Sequence, residues 1–236
     1  MHGTVSELWR YPVKSMAGER VRTLKLDWRG AAGDRTHAVF ARGRRLTARE
    51  APGLLRWAAS YGDTVPEPSA PPLARVTAPD GIEHGWDDPA LPAFLGADLG
   101  KEIVLTRDLD GQQDLERRMA GGGGHEQRAL EAELGTPIDP RRWRTNLQLD
   151  LPDAPAWADL EWEAGALEFE GGVVLDLLHP CARCVIPTRD PKTAAKWPEL
   201  LKHLHRHHAM RFGINAQVRD AGCVAAGEAV TLRHPA

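Results

Sequence analysis

The residues best placed to do chemistry are concentrated in one stretch, His179-Pro180-Cys181-Ala182-Arg183-Cys184-Val185-Ile186-Pro187-Thr188-Arg189-Asp190-Pro191. Two thiols flank a guanidinium, and a neighbouring fixed cation biases a partly shielded cysteine toward thiolate. Thiolate is the form that binds a soft metal centre. Three readings of this Cys-x-x-Cys follow from the residues themselves. The two cysteines can pack as small buried hydrophobes. They can join His179 and Cys223 in a four-ligand zinc site. They can act as a redox dithiol, although a thioredoxin-like pair opens a helix, and Val-Ile-Pro-Thr follows here.

The element that must hold this stretch is the apolar run Gly171 to Leu178, which reads as a buried strand. Pro180 disfavours helix before it and is expected to end the regular pairing, so the thiols should sit where a strand meets a loop. Further strands are expected at 4–9, 20–28, 36–41, 101–107 and 145–149, with helices at 89–100, 125–134 and 197–208. Residues 63–72 form a Pro-rich connector. A polar run from Gln112 leads into four glycines, Gly121 to Gly124, whose large ordering entropy makes a mobile loop the default expectation. No Lys-Ser or Lys-Thr follows them, so a Walker phosphate loop is excluded.

Bulk properties narrow the function further. A chain of 236 residues can form one large or two small domains. Thirty basic residues against 33 acidic ones leave a formal charge of −3, which argues against non-specific nucleic-acid binding and a polybasic membrane patch. Three cysteines do not make a disulfide framework, and a reducing compartment fits them best. No targeting segment and no run of about 18 apolar residues is visible, so a cytoplasmic protein without a membrane partner is expected. His203 and His207, four apart on a helix, could share a metal, but no His-Glu-x-x-His motif accompanies them and a solvated histidine-rich face is the plainer expectation.

Several motifs in order carry a family resemblance. Pro180-Cys181-Ala182-Arg183-Cys184, with Thr188, Asp190 and Pro191 after it, resembles the signature of the MOSC domain, named for the C-terminal part of molybdenum cofactor sulfurase. Leu8 to Ser15, Gly33-Asp34-Arg35 and Leu46 to Glu50 resemble the β-barrel domain that precedes MOSC in the amidoxime-reducing proteins. Pro140 to Leu147 is similar to the family's Arg-x-Asn strand, and Phe212 to Ala216 and Ala226 to Leu232 fit its last strands.

The resemblance implies a mostly β (α+β) protein, with an N-terminal barrel domain over 1–107 and a MOSC domain over 108–236. It implies a molybdenum–molybdopterin cofactor (Moco) between them, with Cys184 as the molybdenum ligand and Asp190 at the catalytic centre. Lys14, Ser15, Arg35, Arg144, Asn146, Ala182 and Arg183 would hold the cofactor beside Cys184. The implied activity is a molybdopterin-dependent oxidoreductase reducing N-hydroxylated small molecules, or related N- or S-oxides. Small hydroxyl residues usually precede the helix at 125 in the family, and glycines and His125 stand there instead. Alternatives are a carrier of the cofactor or of sulfur, and a zinc-stabilised domain without catalysis. Three cysteines cannot supply a four-thiolate iron–sulfur site, and no nucleotide fingerprint is present. A separate iron–sulfur, haem or flavin protein is therefore expected to deliver electrons.

Overall fold

The computed structural model describes residues 1–108 and 119–234. The polar run expected at 112–118 lies outside the described residues.

The architecture is mostly β with three α-helices among the described residues. Its centre is a sheet closed on itself. Going round, the strands are Leu147–Asp150, Met119–Gly123, Arg211–Asp220, Val174–Ala182, Ala166–Phe169, Ala229–Arg233 and His2–Arg10. His2–Arg10 then pairs back onto Leu147–Asp150, with Thr4 opposite Asp150 and Leu8 opposite Leu147. Closure leaves no free edge in the barrel wall. The side chains alternate as a barrel requires: Val5, Leu147, Leu149, Leu175, Leu177, Ile214 and Leu232 all face one buried core.

The amino-terminal strand thus completes the carboxy-terminal barrel, although it starts the first domain in the chain. Thr23–Asp27 does something similar, pairing with Gly222–Ala225 and placing Leu24 and Leu26 in the same core. The remaining first half has its own core of Val13, Met16, Val39, Leu54, Trp57, Val76, Trp86, Leu91 and Leu95. Short antiparallel strands surround it, Ala58–Ser60, Arg75–Thr77 and Glu83–Gly85 in one sheet and His37–Ala41 with Val104–Arg107 in another. Helix α1 (Leu91–Leu99) ends at Gly100, whose φ of 64° suits glycine.

Two expectations are corrected. Gly121–Gly123 form a barrel strand, parallel to Leu147–Leu149 and antiparallel to the Ala216 side of its other neighbour. Backbone hydrogen bonds on both sides offset the entropy that argued for a mobile loop. The strand into the cysteine motif also runs on past Pro180 to Ala182. The register shifts on either side of Pro180, and such a bulge accommodates a residue with no N–H to donate.

Helices α2 (Gly124–Leu134) and α3 (Pro198–His207) pack on the barrel's outside. Leu130, Leu200 and Leu204 meet Trp143 and Phe212 in a third core, which lies against the cysteine loop. No helix among the described residues is long and apolar enough to cross a membrane.

Candidate functional site

The cysteine loop is fixed by its own arginine. Arg183 is buried and donates through Nε to the Phe212 carbonyl at 2.8 Å and through Nη1 to the Trp143 carbonyl at 2.9 Å. Trp143 and Phe212 stack with ring centroids 3.8 Å apart, so both carbonyls belong to one rigid block. Arg183 therefore sets where Cys184 emerges. Cys181 and Cys184 are half-buried free thiols, and Cys223 is an exposed one. Ala182 is exposed at the strand end, opposite Arg211.

The turn Pro140–Trp143 grips the other side of the loop. Asp139 caps it by accepting from the Arg141 N–H at 3.0 Å, and it pairs with the Arg141 side chain. Arg142 donates to the Pro187 carbonyl at 3.1 Å and to Asp190 Oδ2 at 3.2 Å. Asp190 also accepts from the N–H groups of Lys192 and Thr193 and from the Thr193 hydroxyl. Burial alone would raise its carboxyl, but these hydrogen bonds and the Arg142 charge hold it below the usual range. An ionised, fully engaged carboxylate is a loop anchor and a poor proton donor.

Above the loop lies a cleft where the two halves of the molecule meet. Trp9, Tyr11, Arg141, Arg142, Arg144 and Arg189 line it, with Ile186 of the cysteine loop at its floor. It encloses about 40 Å³, and about 420 Å³ counting its open mouth. Tyr11 is its buried organiser. The Arg144 guanidinium lies 4.4 Å from the Tyr11 ring centroid and that of Arg35 lies 5.1 Å from it, both within cation–π range. Burial outweighs these positive charges and pushes the Tyr11 hydroxyl up to about 12, so it stays neutral.

Beneath Tyr11, Asp34 is fully buried and joins several elements. It accepts from the Tyr11 N–H at 2.7 Å and from Asn146 Nδ2 at 3.0 Å, and it forms an ion pair with Arg35. Asn146 also donates to the Trp9 carbonyl at 3.1 Å. Gly33 is needed here: its φ is 76°, and a Cβ would sit 2.6 Å from the Tyr61 ring.

The candidate residues therefore divide. Arg35 and Arg144 converge on Tyr11, and Arg144 lines the cleft. Arg35 and Asn146 belong to the buried Asp34 network. Ser15 is buried at a φ of 71°, and its Oγ accepts from the Ala48 N–H at 3.0 Å. Lys14 is half-buried, with its N–H donating to the His37 carbonyl. The cleft adds Arg141, Arg142, Arg189, Trp9 and Tyr11 to the candidates. Arg141 and Arg142 lie in the stretch Pro140 to Leu147 that resembles the family's Arg-x-Asn strand, and only the fold shows that they face the thiol loop. A four-ligand site of His179, Cys181, Cys184 and Cys223 is not assembled. Among the described residues, the one group of three metal-capable side chains that converges is elsewhere, at Glu133, His203 and His208.

Two family profiles match the chain: the MOSC domain over residues 125–231 and the MOSC N-terminal beta barrel domain over residues 2–82. The solved YUAD protein from Bacillus subtilis is similar in fold over 100% of this chain and 98% of that chain, at 16% identity and a TM-score of 0.56. Weaker likenesses are to YiiM from Geobacillus stearothermophilus, covering 48% of this chain and 53% of that one at 16% identity and a TM-score of 0.37, and to a hypothetical protein, covering 98% and 67% at 12% identity and 0.42. No curated protein matches the chain.

Proposed function

The chain is a MOSC-domain protein with a MOSC N-terminal β-barrel domain, and from that footing we propose that it is a molybdenum–pterin oxidoreductase acting on N-hydroxylated compounds or related N- or S-oxides. The observation that carries this reading is the position of a half-buried free thiol, Cys184, on a loop that Arg183 and Arg142 hold against an arginine-lined cleft.

The donor set suits such a cofactor. A pterin phosphate is a dianion, and guanidinium groups match its oxygens better than any other side chain. Arg142 Nε and Arg183 Nη2 are buried with no hydrogen-bond partner among the described residues, a costly arrangement that an anionic or carbonyl acceptor would relieve. The enclosed volume takes only an oxyanion-sized group, so the body of a pterin would occupy the open mouth, against Trp9 and Tyr11.

When bound, molybdenum supplies a centre that accepts an oxygen atom from the substrate with a two-electron change. The chain's own residues do the rest. Cys184 offers the soft thiolate that fastens the metal. Arg141, Arg142, Arg144 and Arg189 neutralise the anionic part, with Tyr11 holding the Arg144 plane in place. Asp190 holds the loop.

Electrons must come from a separate redox protein, whether iron–sulfur, haem or flavin. A groove of about 500 Å³ on the other side of the loop supports an acidic donor, because Val185 and Thr188 share it with Lys196, Lys202 and Arg206.

Elemental analysis of protein made in a cofactor-producing host tests the proposal. About one molybdenum per chain is expected, lost in Cys184→Ser and largely kept in Cys181→Ser. Turnover of an N-hydroxylated substrate should follow an artificial reductant and not NADH alone. Absence of molybdenum, or equal loss in both cysteine variants, would overturn it.

A further inference from the structure

Away from the cleft, three side chains with ligand chemistry converge on one point. Glu133 comes from the last turn of α2, His203 from α3, and His208 from the residue that ends α3. His203 Nε2 and His208 Nε2 each lie 2.7 Å from the same oxygen, Glu133 Oε2. The sequence pairs His203 with His207 by helical spacing. The His207 ring does lie beside His203, centroids 4.6 Å apart, but the chain leaves the helix at His208, with φ −133° and ψ 23°, and it is His208 that turns its Nε2 to the Glu133 oxygen His203 faces.

The cluster is built rather than incidental. Trp157 stacks flat on His208, centroids 3.4 Å apart, and donates through Nε1 to Glu133 Oε1 at 2.8 Å. One carboxylate oxygen is therefore anchored while the other faces both imidazoles. The His203 and His208 side chains are 18% and 11% exposed, which restricts their rotamers yet leaves the site reachable from solvent.

We propose that Glu133, His203 and His208 form a binding site for one divalent transition ion of the zinc class, clamping the ends of α2 and α3 together. Two imidazoles and one carboxylate are a zinc ligand set with a fourth position left for water. Imidazole nitrogen favours zinc, copper or nickel over calcium and magnesium. Zinc–ligand distances of about 2.0–2.2 Å place tetrahedral ligands roughly 3.3 Å apart, so the Glu133 oxygen must retreat by roughly half an ångström. A glutamate at a helix end with a 32% exposed side chain has that freedom. The clamp matters to the thiol loop because Leu200 and Leu204 of α3 pack with Trp143 and Phe212, whose carbonyls hold Arg183. The proposal is independent of the molybdenum reading.

The test is titration of untagged protein with zinc chloride, followed by calorimetry, and with cobalt chloride, followed by visible absorption. One zinc per chain should bind and raise the melting temperature. His203→Ala or His208→Ala should weaken binding by more than about 100-fold, the upper end of the loss from removing a supporting group alone. Trp157→Phe, which removes only the anchor on Oε1, should cost about tenfold. His205→Ala, on the same helix but outside the cluster, should leave affinity unchanged. Should an alanine variant misfold, the cobalt spectrum of the unaltered protein still decides. Ligand-field bands without thiolate charge transfer are expected. A thiolate band, affinity indifferent to both histidine substitutions, or no binding at all overturns the proposal.

Discussion

Arg35 donates through Nη2 to the backbone carbonyl of Arg144 at 2.9 Å, joining positions 109 apart in the chain. The bond crosses the seam between the two halves, and it turns an arginine that resembles a ligand into a structural tie. Arg35→Ala would strand the fully buried Asp34 carboxylate without its charge partner. Breaking a buried pair from one side costs about 3–5 kcal/mol. Urea denaturation should show a loss of that order. Arg141→Ala, half-exposed and paired with Asp139, should change stability by less than about 1 kcal/mol while weakening phosphate binding in the cleft.

Asp190 separates anchoring from catalysis. Asp190→Asn keeps an oxygen for the Lys192 and Thr193 N–H groups and loses only the charge facing Arg142. Its side chain is 32% exposed, so the stability change should stay within about 1 kcal/mol. Turnover should fall less than about tenfold, whereas removal of a general acid or base costs roughly 10²–10⁴. A loss in that larger range would make Asp190 a proton-transfer group after all.

Glu126 predicts an unusual pH response. Burial first, then the neighbouring Asp159 carboxylate, hold its carboxyl well above the ordinary value of 4.5, although the Gly213 N–H at 2.7 Å pulls the other way. The folded chain thus keeps a proton that the unfolded chain releases. The unfolded state binds fewer protons, so stability falls as pH rises above about 4.5. Urea midpoints measured from about pH 5 to about pH 8 should decline less steeply in Glu126→Gln than in the unaltered protein. Parallel curves would mean that Glu126 is ionised in the fold.

The glycine strand is open to hydrogen exchange. Gly121, Gly122 and Gly123 pair with Leu147, Gln148 and Leu149. Their amides should exchange at least about 100-fold more slowly than free chain, in step with 147–149. Free-chain rates there would restore the mobile loop.

Much of the architecture was legible because it follows local rules. Alternating apolar residues marked the strands, Gly100 and the amphipathic spacing of Leu200 and Leu204 marked helix ends and faces, and the ordered motifs from Leu8 to Leu232 marked the family. The cysteine motif was readable for the same reason, since its residues are neighbours in the chain. What tertiary structure alone decided are relations between distant residues. Closure of the barrel by His2–Arg10 needs partners more than a hundred positions away. Gly121, Gly122 and Gly123 belong to a strand only because two neighbouring strands supply hydrogen bonds that no local propensity encodes. Whether an arginine faces a ligand or a buried carboxylate depends on what folds over it, which is why Arg35 went inward to Asp34 while Arg141, Arg142 and Arg189 line the cleft. Helical spacing sets His207 beside His203, as the structure has it, but only the turn of the chain at His208 brings a second imidazole to Glu133.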